Sequence, residues 1–171
     1  MSVQLRDGAL ALLRPIRSAD RERFLAFHAG LSEESRYNRY FGAHRKLGER
    51  ELAAVLAPDP GLALGLVAEQ GGALVAHAAW HRIAAEPLAA EVAFAVADDL
   101  HGHGLGTLLL HELARRARAA GIARFVAHVL PHNREMLAVF RDAGYEERAR
   151  FEDGVVRVDL WLDGDPPRPA A

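Results

Sequence analysis

The stretch His101-Gly102-His103-Gly104-Leu105-Gly106 joins an apolar, strand-like run to an amphipathic helix pattern. Three glycines in six residues cost conformational entropy and need a local reason. A glycine-rich strand-to-helix turn supplies one. Bare backbone N–H groups there can face an anion, and the positive end of the helix dipole adds to the attraction. The chemistry implied is the holding of a phosphorylated ligand. A dinucleotide fingerprint needs Gly-x-Gly-x-x-Gly after the first strand, whereas here Gly-x-Gly-x-Gly follows the fourth. A P-loop needs Gly-Lys-Ser/Thr, and the only lysine, Lys46, is far away. The plain alternative is a tight turn with a glycine-assisted helix start.

Composition restricts what chemistry can accompany that turn. There is no cysteine, which removes disulfides, thiolate metal sites and Cys nucleophiles. Ser2, Ser18, Ser32, Ser35 and Thr107 are the only hydroxyl residues of the Ser/Thr type, and none lies in a Gly-x-Ser-x-Gly elbow. Direct transfer or acid–base work is therefore expected rather than a covalent intermediate. His77 and His81 are expected to share a strand face, and His101 and His103 bracket the glycine turn. Spacing gives neither pair a third metal ligand, so no metal is expected. The formal charge of −2 leaves no electrostatic footprint for nucleic acid. No apolar run reaches membrane-spanning length and no signal-peptide layout opens the chain, so a cytoplasmic protein without a membrane partner is expected.

The 171 residues suit one domain, expected over 9–162, with a disordered tail at 163–171. Strands are expected at 9–16, at 62–69 and 73–81 around Gln70-Gly71-Gly72, and at 91–97. Further strands follow at 124–130, 145–151 and 155–162. Helices are expected from Ser18 or Asp20 to Ala29, over 33–41 after a Ser32 cap, over 48–57, from Leu105 to Gly121, and over 133–143. This order predicts a mixed α/β fold of about seven strands, mostly antiparallel, with one βαβ crossover in the middle.

In that context two ordered blocks carry a resemblance. AEVAFAVADDLHGHGLG, ending at Gly106, resembles the acyl-CoA-binding segment of the GNAT family of N-acetyltransferases, which carries Gln/Arg-x-x-Gly-x-Gly/Ala at the start of its central helix. Gly104 and Gly106 fill the small-residue positions, and His101 replaces Gln or Arg. HVLPHNREMLAVFRDAGYEE, residues 128–147, is similar to the family's next strand, helix and following strand. Residues 13–42 resemble the opening of the protein-lysine acetyltransferase branch. The resemblance implies a GNAT-like twisted sheet flanked by helices and splayed between the strands expected at 91–97 and 124–130. It implies acetyl-CoA as donor and an amine, on protein lysine or a small molecule, as acceptor. It also implies that Ala95, Val96, His101, Gly102, His103, Gly104, Leu105, Gly106, Thr107, Asn133 and Phe140 contact the donor. Homodimers are frequent in the family and compatible with this chain.

Acetyl transfer from a thioester to an amine needs a neutral nucleophile, and a lysine amine has a reference pKa of about 10.4, so a base helps. Glu91 is the candidate, because it is expected to open an apolar strand where desolvation would raise its pKa. The resemblance agrees, since the protein-lysine branch has a base at that point. Glu86 and Glu69 are poorer candidates, in a loop and at a hairpin end. Backbone N–H groups around Ala95 and Val96 are expected to meet the oxyanion. Asn133 is expected to bond the donor's pantetheine arm or to cap its helix. Where the family carries a Tyr general acid, Phe140 stands and cannot donate a proton; Tyr145 is expected not to reach. Tyr37 and Tyr40 shape the acceptor pocket or pack on the sheet, and Phe41 is expected in the core. Phe140 also keeps an alternative open, a non-catalytic acyl-CoA-binding or sensing domain.

Overall fold

The computed structural model describes residues 1–41 and 47–162. Eight strands form one open sheet: β1 (Ser2–Gln4), β2 (Leu10–Pro15), β3 (Ala63–Gln70), β4 (Ala73–Ile83), β5 (Glu86–Val96), β6 (Arg124–Val129), β7 (Glu146–Glu152) and β8 (Val155–Trp161). Their spatial order is β1-β2-β3-β4-β5-β6-β8-β7. Every pairing is antiparallel except β5 with β6, the single crossover. The expected mixed α/β sheet is therefore present, with one strand more than predicted. That strand, β1, pairs with β2 ahead of residue 9. The tail at 163–171 lies outside the described residues.

The helices are α1 (Arg21–Gly30), α2 (Glu33–Tyr40), α3 (Glu49–Leu56), α4 (Leu105–Ala119) and α5 (Arg134–Asp142). Local chemistry sets their limits. Ser32 Oγ accepts from the Ser35 N–H at 3.1 Å, and Asn133 Oδ1 accepts from the Met136 N–H at 3.1 Å, so both are working N-caps. Gly121 (φ 77°) and Gly144 (φ 81°) follow α4 and α5 in the left-handed conformation that ends a helix. The sheet buries both faces. Leu105, Leu109, Leu110, Leu113 and Phe140 from α4 and α5 pack with Leu66, Trp80 and Phe94 on one face. Phe24, Phe27, Leu52 and Leu56 from α1 and α3 pack with Val67 on the other.

One register detail governs the site. β5 and β6 pair only at Ala89↔Arg124, Ala90↔Phe125 and Glu91↔Val126. Beyond Glu91, β5 continues beside β4 to Val96, and β6 continues beside β8 to Val129. The expected splay is present, and it begins at Glu91. The strand itself starts at Glu86, so Glu91 lies within it rather than opening it.

Candidate functional site

A continuous groove of about 950 Å³ follows the splay, with the glycine turn at one end and Glu91 in its wall. At the turn, Gly102 (φ 76°) and Gly104 (φ 83°) take a conformation that costs an L side chain about 1–2 kcal/mol. The first i→i−4 bond of α4 runs from Leu108 to Gly104 at 3.1 Å, so the N–H groups of Leu105, Gly106 and Thr107 precede the helix ladder. The carbonyls are turned to other partners. Arg6 reaches in from the β1–β2 connection; its N–H donates to the His103 carbonyl at 3.2 Å and its Nη1 to the Gly102 carbonyl at 3.3 Å. Amides ahead of the helix ladder beside a guanidinium suit an anion. Gly106 has a different role, because a Cβ there would meet Val139 Cγ2 at 3.3 Å. Its bareness lets α5 approach α4.

His101 sits at the mouth of the groove. Its Nε2 lies 3.1 Å from the Val96 carbonyl and its Nδ1 lies 3.0 Å from Glu135 Oε2, tying the end of β5 to α5. His103 points away instead, with Nδ1 2.9 Å from the His101 carbonyl and Nε2 3.6 Å from Asp7. It is the one residue of the expected donor set that does not line the groove. His77, His81 and the remaining candidates include no group of three or more side chains able to hold a metal among the described residues.

The two amides expected near the oxyanion divide. The Ala97 N–H donates to the Val75 carbonyl of β4 at 2.8 Å. Alternation along an extended strand then turns the Ala95 amide toward β4 as well, and the Val96 amide toward the splay. Val96 therefore offers a free donor and Ala95 does not.

Glu91 is directly opposite His81 on β4 and 3.5 Å from His128 Nδ1 on β6. Its side chain is 59% exposed, which corrects the expectation of a carboxyl desolvated in an apolar strand. The alternation of β5 puts it on the face toward α1–α3, where the groove is open and half-lined by polar groups. Glu86 is paired to Arg124, and Glu69 to Arg14 and Arg23; neither lines the groove. At His81, desolvation, reinforced by Arg39 and opposed by Glu91, lowers the pKa from the usual histidine value.

Phe140 lines the groove with apolar surface alone, buried and edge-on to Phe94 at 5.8 Å. Tyr145 packs against His111 with ring centroids 5.9 Å apart and does not line the groove. The α2 roof is anchored by Ser32 and Ser35, whose hydroxyls donate to Asp98 Oδ1 at 2.6 and 2.7 Å. From that roof Tyr40 lines the groove, while Tyr37 stacks on His132 at 6.3 Å outside the lining. Phe41 is 48% exposed and adopts φ 55°, so the expectation that it joins the core is corrected. Arg6 and His128 are site residues that sequence reasoning missed. Arg6 arrives from 96 residues away, and His128 carries no local signal beyond its place in a strand.

Comparison with known proteins gives a consistent result. The model of the Acetyltransferase (GNAT) family matches residues 25–145. Acetyltransferase Pat of Mycolicibacterium smegmatis is 34% identical over 160 residues, covering 92% of this chain and 47% of that protein, so the chain spans about half its length. The solved GNAT domain of S. lividans PAT is 40% identical with a TM-score of 0.88, covering 94% of this chain and 96% of that one. The fold is also shared with yncA of Salmonella typhimurium, solved with its cofactor acetyl-CoA, at 20% identity and a TM-score of 0.72, covering 94% and 96% of the two chains.

Proposed function

This chain belongs to the acetyltransferase (GNAT) family, and from that premise we propose that it moves an acetyl group from acetyl-CoA to a primary amine by direct attack in a ternary complex. Among primary amines we assign a protein lysine side chain, on the likeness of residues 13–42 to the protein-lysine branch. The observation that carries the reading is the continuity of one groove from the glycine turn to Glu91.

The residues present fit the donor. The amides of Leu105, Gly106 and Thr107, with Arg6 beside them, suit a pyrophosphate. Gly104, at φ 83°, holds the turn in a conformation that an L side chain would strain. The Val96 N–H suits the oxygen that gains charge as the amine attacks, because a fixed donor in the splay needs no reorganisation. Asn133 has its Oδ1 committed to the Met136 N–H, so it acts first as a cap. Glu91 takes the proton from the acceptor ammonium. Its exposure suits a carboxylate that must be reached by a substrate amine, directly or through water. Phe140 supplies no acid; a thiol with a reference pKa of about 8.5 makes a tolerable thiolate leaving group.

The test is thiol release from acetyl-CoA across a panel of lysine peptides and small amines. The expected result is turnover on lysine peptides. In Glu91→Gln, kcat is expected to fall about 10²-fold or more, the scale of lost general-base catalysis, with acetyl-CoA affinity within about twofold. Coenzyme binding without release on any amine would instead support the sensing domain.

A further inference from the structure

We propose that His128 is a second catalytic group of this site: with Glu91 it forms a carboxylate–imidazole pair that carries a proton from the acceptor nitrogen across the splay to the departing thiolate. The inference rests on the acetyl-transfer reading above. Its basis is position. Glu91 and Val126 are the last paired residues of β5 and β6 and point to the same face. The two-residue period of a strand puts His128 on that face too, one step further into the splay. Its Nδ1 is 3.5 Å from Glu91 Oε1, it lines the groove, and its side chain is 34% exposed, so it faces both the carboxylate and the open channel. Phe140 leaves the leaving group without an acid from α5, and His128 stands on β6, the wall opposite Glu91.

The surroundings assign the role to His128 rather than to its neighbours. His81 on β4 faces Glu91 from the other side, on the strand paired along β5 and away from the gap, and desolvation and Arg39 of α2 lower its pKa. Arg157 on β8 is opposite His128 in register; its Nε is bound to Asp159 Oδ2 at 3.2 Å and lies 3.8 Å from Glu152. His132, beyond β6, is stacked on Tyr37. An imidazole nitrogen can also take a proton and give it back at the same atom, as a group that relays one must.

The proton count closes. The acceptor ammonium gives one proton to Glu91, which passes it to water. The free amine forms the N–C bond. As the C–S bond breaks, its electron pair stays on sulfur, and the second nitrogen proton passes through Glu91 to His128 and from its imidazolium to the thiolate. One amide, one thiol and one released proton result, and both side chains return to their starting state.

The experiment compares wild type, Glu91→Gln, His128→Gln, His128→Ala and the Glu91→Gln/His128→Gln double variant in steady-state thiol release over pH. In His128→Gln, kcat is expected to fall ten- to hundredfold, with the KM for acetyl-CoA within twofold and one limb of the pH profile lost. The double variant is expected within a few-fold of the slower single, as for residues acting as a unit. Added imidazole is expected to restore turnover in His128→Ala. Wild-type kcat in His128→Gln, losses that multiply in the double variant, or no rescue by imidazole overturns the pair while leaving the acetyl-transfer reading in place. No thiol release by wild type on any amine overturns both. Circular dichroism and thermal midpoints identify a folding defect; should His128→Gln fail to fold, His128→Asn gives the same reading.

Discussion

At Gly104 the backbone conformation is what asks for glycine. Its φ of 83° strains an L side chain, whereas a Cβ would only reach ordinary contact with Arg6, 3.4 Å from Nε. Gly104→Ala is expected to lower the unfolding free energy by about 1–2 kcal/mol, the cost of a left-handed L residue, and to weaken acetyl-CoA binding about tenfold, roughly 1.4 kcal/mol of affinity. Urea titration and calorimetry check the two effects separately. Wild-type affinity in a destabilised variant would remove the turn from the donor site. This residue was legible in the sequence because the demand on it is local. So were Gly102, the Asn133 cap and the position of Phe140. Arg6 and His128 were not, because they matter only through what the folded sheet sets beside them. Glu91 falls between: its position was readable, but its exposure depends on where β5 and β6 part.

At the scale of the element, strands with alternating or apolar runs bounded by glycine were readable, and so was every helix with a polar cap. The first five residues of β5 were not. Only Glu86 and Ala90 of these pair with β4, at Ile83 and Arg82 with a register shift between, across a turn of Ala84 and Ala85 that carries no glycine, asparagine or proline, and Pro87 reads as a breaker. β1 spans Ser2–Gln4, too few residues for any period. Within β4, His77 makes the sheet's interior sensitive to pH. It is buried, edge-on to Phe24 at 5.2 Å, and desolvation first, then Arg39 and His81, brings its pKa down to about 3 from 6.5. Between those values the unfolded chain holds a proton there that the folded chain does not. Stability therefore rises with pH through that window and is lost as pH falls below the unfolded value. Unfolding midpoints in urea are expected to drop from pH 7 to pH 4, and His77→Leu to flatten part of that slope. An unchanged slope in the variant would assign the loss to other groups.

For the whole molecule, the two apolar faces explain why one chain folds around a sheet with a gap in it. α4 and α5 cross the splay on one side, and α1 and α3 cover the other half on the opposite side. A ligand bound along the groove contacts both halves and binds only the folded state. At about 100 times its dissociation constant such a ligand adds about 2.7 kcal/mol, which for a chain of this size raises the thermal midpoint by about 5–10 °C. Acetyl-CoA is expected to give that shift, measured by differential scanning fluorimetry, and Gly104→Ala to require more ligand for it. A wild-type midpoint that does not move at saturating acetyl-CoA would exclude the groove as its site.

The short join of β5 to β6 also has a mechanical meaning. Two sheet halves hinged at three residue pairs act as the arms of a pair of tongs, with the fulcrum at Glu91. Any small rotation of one arm moves a point in proportion to its distance from the fulcrum. Under such a rotation the His101–Glu135 contact at the far end would travel most, and the carboxylate least. Opening the mouth for a large ligand would strain that contact first and leave the groups that handle the proton at their spacing.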